Sequence, residues 1–251
     1  MLSTKLADSF PHLRLYVDIS VLLRLLRLGE LEFQRMDRQY DYKNMWFESQ
    51  DDRMLLIRGE ATYIHERRPN VGELLSCSLL AQTIYSCQFC ASQTESYALW
   101  RCTSQLNEIV CIETSYRSLF MSVSKELRKV LSLKQMKYSG MEPWAIGYTL
   151  AADVSTAVCQ KSIAFEYENE STLLLPYTSS QHSTSGAVDQ TGLPISLTIK
   201  LDPAKLIKGI IVAPDTEPFV LKTITALVQS YLPTCMVRNS SLTKVDIEHA
   251  S

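Results

Sequence analysis

The sequence predicts an α+β fold: a single compact domain with a mixed or antiparallel sheet and flanking helices. Three observations predict it. Strand-like and helix-like segments mix without the strict alternation of a doubly wound sheet, and no internal repeat is present. At 251 residues the chain is long enough for one sizeable core. The expected unit is residues 1–251, with its core at about 12–242, a flexible loop at 177–192 and tails at 1–11 and 243–251.

The elements follow in order. LRLYV (13–17) alternates as a short strand, Asp18 or Ser20 can cap the helix VLLRLLRL, Gly29 stops it, and ELEFQ (30–34) alternates again. Residues 35–69 are charged and aromatic with poor periodicity, which suits a long surface excursion. Asn70 and Glu73 resemble a capping box before LLSCSLLA, and TIYSCQFC then sets Tyr85, Cys87 and Phe89 on one face of a strand. Thr94 caps the short helix ESYALWR.

EIVCIET (108–114) reads as a buried strand. Ser115 opens one helix, YRSLFMSVSKELRKVL, in which Tyr116, Leu119, Phe120, Val123, Leu127 and Val130 recur at helical spacing. AIGYTLA (145–151), SIAFEYE (162–168), ISLTIKLD (195–202), GIIVAP (209–214) and TCMVRNS (234–240) read as strands. Asp215 or Thr216 caps a helix that starts near Pro218 and carries Val220, Ile224, Leu227, Val228 and Tyr231 on one stripe. The Ser, Thr and Gly-rich segment 177–192 has no period and reads as a flexible loop.

With 25 basic and 27 acidic residues the net charge is -2, so no global field points to nucleic acid or an anionic membrane. Seven scattered cysteines suit a reducing, cytoplasmic setting better than a disulfide framework. The N-terminal stretch lacks a leader-like apolar region, and no apolar run approaches the roughly 18 residues of a membrane span. A soluble protein with no membrane contact is expected, of an oligomeric state that the sequence does not give.

The stretch FEYENEST (165–172) carries the candidate chemistry. On a strand, Glu166, Glu168 and Glu170 would share a face about 7 Å apart. That row is either a solvated strand face or an acidic cluster, and three adjacent acids repel unless a cation, an arginine or a ligand hydroxyl meets them. Arg14 and Tyr16 alternate with the apolar face of the first strand and are either its polar side or a ligand grip. Trp100 is core or a stacking platform, and Arg35, Asp37 and Arg38 form a polar rim or an anion site.

Cys87 and Cys90 form a lone CxxC that reads as buried structural thiols. Four histidines stand singly, no metal is expected, and no P-loop, GxGxxG, GxSxG or HExxH occurs.

Taken together, LRLYVDISVLLRLLRLGELEFQRMDRQYD, ESYALWRCTSQLNEIVCIETSYRSL, KSIAFEYENESTLL and the segment from LPISLTIKLD to VQSYLP resemble the family called domain of unknown function 2971. The resemblance covers nearly the whole chain and departs from the family at Val17, Asp18 and Thr172. The opening strand, helix, Gly, strand arrangement is similar to that of mono-ADP-ribosyltransferase folds, including toxins that modify DNA or RNA. That similarity implies NAD as substrate and a protein or nucleic-acid acceptor. It also implies Glu168 or Glu170, within the row containing Glu166, as the catalytic acid, with Arg14 on the phosphates, Tyr16 or Trp100 stacking and Arg35 as a further cofactor-binding residue. A toxin or antiphage defence effector is the setting it suggests. The alternatives are a non-catalytic interaction or sensor protein with a degenerate site and, less favoured, a metal-dependent nuclease using the three acids.

Overall fold

Alternation in LRLYVD makes strand β1 (Leu13–Asp18), which buries Leu13 and Leu15. Helix α1 (Ile19–Leu28) follows because Leu22, Leu25 and Leu26 recur on one face, all buried. Gly29 ends it with φ 63, a left-handed conformation suited to glycine, and its N–H donates to Leu25 O at 2.9 Å. The chain then re-extends as β2 (Glu30–Arg35) and closes with a 3-10 turn, Met36–Arg38. The computed structural model describes residues 10–38, 82–103, 109–139, 159–177, 188, 192–214 and 216–242.

The next elements are β3 (Ile84–Cys90), α2 (Tyr97–Thr103), β4 (Ile109–Thr114), α3 (Tyr116–Ser122) and α4 (Lys125–Val130). Then come β5 (Ser132–Gln135), β6 (Lys137–Ser139), β7 (Gln160–Ser162), a 3-10 helix (Ile163–Glu168) and β8 (Glu170–Pro176). The chain continues through β9 (Ser196–Lys200), α5 (Pro203–Leu206), β10 (Gly209–Val212), α6 (Pro218–Tyr231) and β11 (Met236–Asn239). The AIGYTLA strand, the capping box at Asn70 and most of the 177–192 loop lie outside the described residues.

Among the described residues nine strands form one sheet with the path β11-β10-β4-β1-β3-β2-β9, and β8 pairs with β3 and β5. Among the described strands only β10 and β11 run parallel in it; β6 and β7 make a separate parallel pair. One edge of β3 receives β1 at Cys90 and β2 at Ser86 and Tyr85, while β8 runs along the other. The sheet therefore forks between β1 and β2, and α1 joins the two branches.

The main core includes Leu13, Leu15, Phe33, Tyr85, Phe89, Ile112, Leu173 and Ile210 from the sheet, packed with Leu22, Leu25, Leu119, Ile224 and Val228 from the helices. Each such buried side chain contributes about 1.5–3 kcal/mol. A smaller core on the opposite face joins Trp100, Ile109, Cys111, Ile211 and Ala213 with Tyr16. Among the described residues no helix is long and apolar enough to cross a membrane.

Local expectations needed five corrections. The single helix after Ser115 is two, because Val123 leaves helical conformation to bridge Leu201, and Ser124 accepts from Leu127 N to start the second. Ser96, rather than Thr94, accepts from Leu99 N at the start of α2. Helix α6 has Glu217 at its N-cap, while the Thr216 hydroxyl donates back to Ala213 O. Its stripe ends at Val228, leaving Tyr231 43% exposed.

The fifth correction is SIAFEYE, expected as one strand. Its strand is β7, ending at Ser162, and Ile163–Glu168 coil into the 3-10 helix. Asn169 then takes a left-handed φ of 42, which a short polar side chain tolerates, and turns the chain into β8. Its Nδ2 donates to Ala91 O at 2.5 Å and its own carbonyl accepts from Ala91 N at 2.7 Å.

Candidate functional site

Directly opposed residues of paired strands share a face. The registers Glu113↔Arg14, Arg14↔Cys90 and Cys90↔Glu170 therefore set one row across β4, β1, β3 and β8, on the face away from the main core. At about 4.8 Å per strand the row spans roughly 14 Å. It carries charge at both ends and a buried thiol in the middle.

At one end Arg14 is nearly enclosed, its side chain 8% exposed, and Nη2 donates to Glu113 Oε1 at 3.2 Å. Its Nη1 is buried with no hydrogen-bond partner. Arg238 Nη2 donates to the same Glu113 oxygen at 3.0 Å, so two guanidinium groups share one carboxylate. Gly209 stands opposite Glu113, and a Cβ there would lie 3.1 Å from Glu113 Oε2, so the missing side chain leaves room for the carboxylate.

Glu95 extends this network. It receives Arg238 Nη1 at 3.4 Å, Ser241 N at 3.0 Å, Ser241 Oγ at 2.9 Å, Trp100 Nε1 at 3.3 Å and the Ser240 hydroxyl. Burial works against its charge, but the donors of Ser240 and Ser241, aided by Arg238, hold its carboxyl below the usual range.

At the other end Lys161 Nζ lies 2.6 Å from Glu170 Oε2 and 2.7 Å from Glu168 Oε2, with its side chain only 2% exposed. Burial opposes the ammonium charge, yet Glu170 and Glu168 outweigh it and hold the Lys161 pKa above its ordinary value. The Thr172 hydroxyl donates to Glu170 Oε1, and Glu170 N donates to the Tyr138 hydroxyl at 2.7 Å. Cys90 lies between the two ends. Burial pushes its thiol up to about 11, Arg14 pulls it down and Glu168 pushes it up, so both charges act on one sulfur.

The sequence candidates divide accordingly. Arg14, Tyr16 and Glu170 are on one face, and Glu168 joins them from the 3-10 helix through Lys161. The expected strand row of three glutamates does not form: Glu166 is exposed on the 3-10 helix, and its carbonyl accepts from Asn169 N at 3.0 Å. Trp100 is 5% exposed, with its ring edge-on to Tyr16 at 4.9 Å. The Tyr16 hydroxyl accepts from Ser96 N at 3.4 Å, and burial raises its pKa above the ordinary value.

Arg35 stands apart. It opposes Tyr85, so it is on the other face, fully buried, with Nε and Nη2 on the two oxygens of Asp37 at 2.6 and 3.1 Å. Cys87 and Cys90 have opposite facing, Cys87 toward the main core, and burial pushes the Cys87 thiol up to about 12. Cys87, Cys90, Cys111, Cys159 and Cys235 are free and buried. Among the described residues no group of three or more His, Cys, Asp or Glu side chains is arranged to hold a metal ion.

Sequence reasoning missed Lys161, Glu113, Arg238 and Glu95. Glu113 had a signal, an acid within the buried run IVCIET. So did Lys161, since three close acids require a cation, and it lies just upstream of them. The fold and site together define a forked α+β sheet with a row of paired charges on one face. Comparison of the chain with protein-family models, with curated proteins and with solved structures finds no match.

Proposed function

We propose that the face bearing Arg14 and the Glu168–Glu170 pair binds NAD, and that the protein is an ADP-ribosyltransferase-like enzyme of the domain of unknown function 2971 type. One observation carries the reading: a first-strand arginine and a late-strand glutamate share a face and a register row, and the arginine has a buried Nη1 without a partner. Arg14 is the group for the diphosphate, because a guanidinium matches phosphate oxygens in charge and geometry. Tyr16 supplies the aromatic surface, with Trp100 packed behind it.

In the reaction the bond from ribose C1′ to the nicotinamide nitrogen breaks, and its electron pair leaves with nicotinamide. Positive charge grows on the ribose, and a carboxylate of the acidic pair stabilises it and accepts a hydrogen bond from a ribose hydroxyl. A lone pair of the acceptor, a protein or nucleic-acid group or water, then forms the new bond at C1′, and its proton passes to solvent. Transfer to a macromolecule suits a toxin or defence effector.

A second reading, a non-catalytic interaction or sensor protein, is favoured by a different observation. Lys161 pairs both glutamates, and Glu113 pairs both arginines, so the charges compensate one another within the fold. Nicotinamide release from NAD by the purified protein, with and without nucleic acid and cell lysate, separates the two. The transferase reading expects release that a folded Glu168→Gln, Glu170→Gln double variant abolishes. Neither release nor NAD binding under any of these conditions would leave the interaction reading.

A further inference from the structure

Lys161 is among the largest fully buried side chains, yet it is a charged one in the middle of the short strand β7. It connects two different kinds of structure. Glu170 belongs to the sheet, 4% exposed and further fixed by the Thr172 hydroxyl. Glu168, 17% exposed, ends the 3-10 helix, where Ile163 and Tyr167 are 53% and 44% exposed. The ammonium also lies 5.7 Å from the Phe165 ring centroid, in the middle of the same helix. Lys161 precedes that helix and Glu168 ends it, so their ion pair closes it into a loop whose strut is anchored on Glu170.

We propose that Lys161 is the positioning residue of the acidic pair: it uses Glu170 as its anchor in the sheet and holds Glu168 as the carboxylate offered to substrate. The role toward substrate rests on the transferase reading, whereas the holding of the 3-10 helix does not. The more exposed carboxylate is the one a ribose hydroxyl can reach. The enclosed one, with Thr172 and Lys161 already on its oxygens, is committed to the fold.

The test measures amide hydrogen exchange across residues 163–169 and steady-state nicotinamide release for the wild type, Lys161→Met and Lys161→Arg. Methionine keeps the length of the side chain and removes the charge. Expected for Lys161→Met is exchange faster by about tenfold or more in 163–169, together with kcat lower by at least about tenfold at a KM within about twofold. Lys161→Arg is expected to restore much of both. Unchanged exchange in Lys161→Met, or a change confined to KM, would overturn the proposal. Absence of release from the wild type sinks the transferase reading, and the exchange measurement still decides whether Lys161 holds the helix. Should Lys161→Met fail to fold, Glu168→Met removes the other end of the strut at a more exposed position. It is expected to raise exchange in 163–169 similarly, and unchanged exchange there would again overturn the proposal.

Discussion

Replacing Arg14 by methionine separates a structural arginine from a ligand-binding one. Breaking a buried ion pair ordinarily costs about 3–5 kcal/mol, chiefly because the surviving charge is stranded. Here the survivor is not stranded: Glu113 is 28% exposed and keeps Arg238 Nη2 at 3.0 Å. The lost attraction, about 5 kcal/mol gross at 3.2 Å and an effective dielectric of 20, is offset by several kcal/mol of relieved desolvation. Removing the unpartnered Nη1 recovers about 1–3 kcal/mol more. The net effect on stability of Arg14→Met is expected within about 1 kcal/mol of zero, while NAD affinity falls by about tenfold or more. Urea unfolding and calorimetric titration read the two quantities. A stability loss above about 3 kcal/mol would refute the reasoning, because Arg14 would then be held for the fold rather than for a ligand.

Three further outcomes are expected. Gly29→Ala combines a left-handed φ of 63 with a Cβ only 2.6 Å from Leu201 O, so it should lose about 2–4 kcal/mol in urea unfolding; a loss under about 0.5 kcal/mol would contradict that helix end. Ser171→Ala removes a buried hydroxyl without a partner and should leave stability unchanged or raise it by about 1 kcal/mol, whereas a clear loss would mean that the hydroxyl is satisfied. The folded-state pKa of Glu95 lies below its unfolded value, so its contribution is present above the unfolded pKa and disappears as pH falls through the folded one. The stability difference between wild type and Glu95→Gln should therefore be full near neutral pH and shrink below about pH 4, and a pH-independent difference would count against the network around Glu95.

Much of the fold was legible because local chemistry agreed with the global answer. Gly29 after a leucine stripe, Pro218 in a first turn and the alternation of Leu13, Leu15 and Val17 all point to the elements observed. In FEYENEST two signals compete. Its alternation mimics a strand, but Asn169 can adopt the left-handed conformation, and its side chain and carbonyl meet Ala91 across the turn. That long-range pairing is invisible in a local pattern. The same limit hid Arg238 and Glu95, separated by 143 positions in the chain yet joined by a hydrogen bond. Arg14 and Glu170 could be nominated one at a time. Their common row follows only from the pairing of β1 and β8 with Cys90 of β3, and the same register logic separates Arg35 from them.

The second face of the sheet conflicts with what stability alone would select. Arg14, Lys161, Glu170 and Thr172 are all buried there, whereas the main face is filled with leucine, isoleucine and phenylalanine. Well-packed apolar residues in place of a buried ion pair are often neutral or stabilising by about 1–4 kcal/mol, so the two clusters in this row carry a stability cost, as does the buried Arg35–Asp37 pair on the main face. Places where a sequence breaks its own folding rules tend to be functional ones. If Arg14→Met and Lys161→Met each leave stability nearly intact while altering ligand binding or the 163–169 segment, the row is retained for what it holds. If both unfold the protein, the charges are the mortar of the second face, and the search for a ligand moves elsewhere.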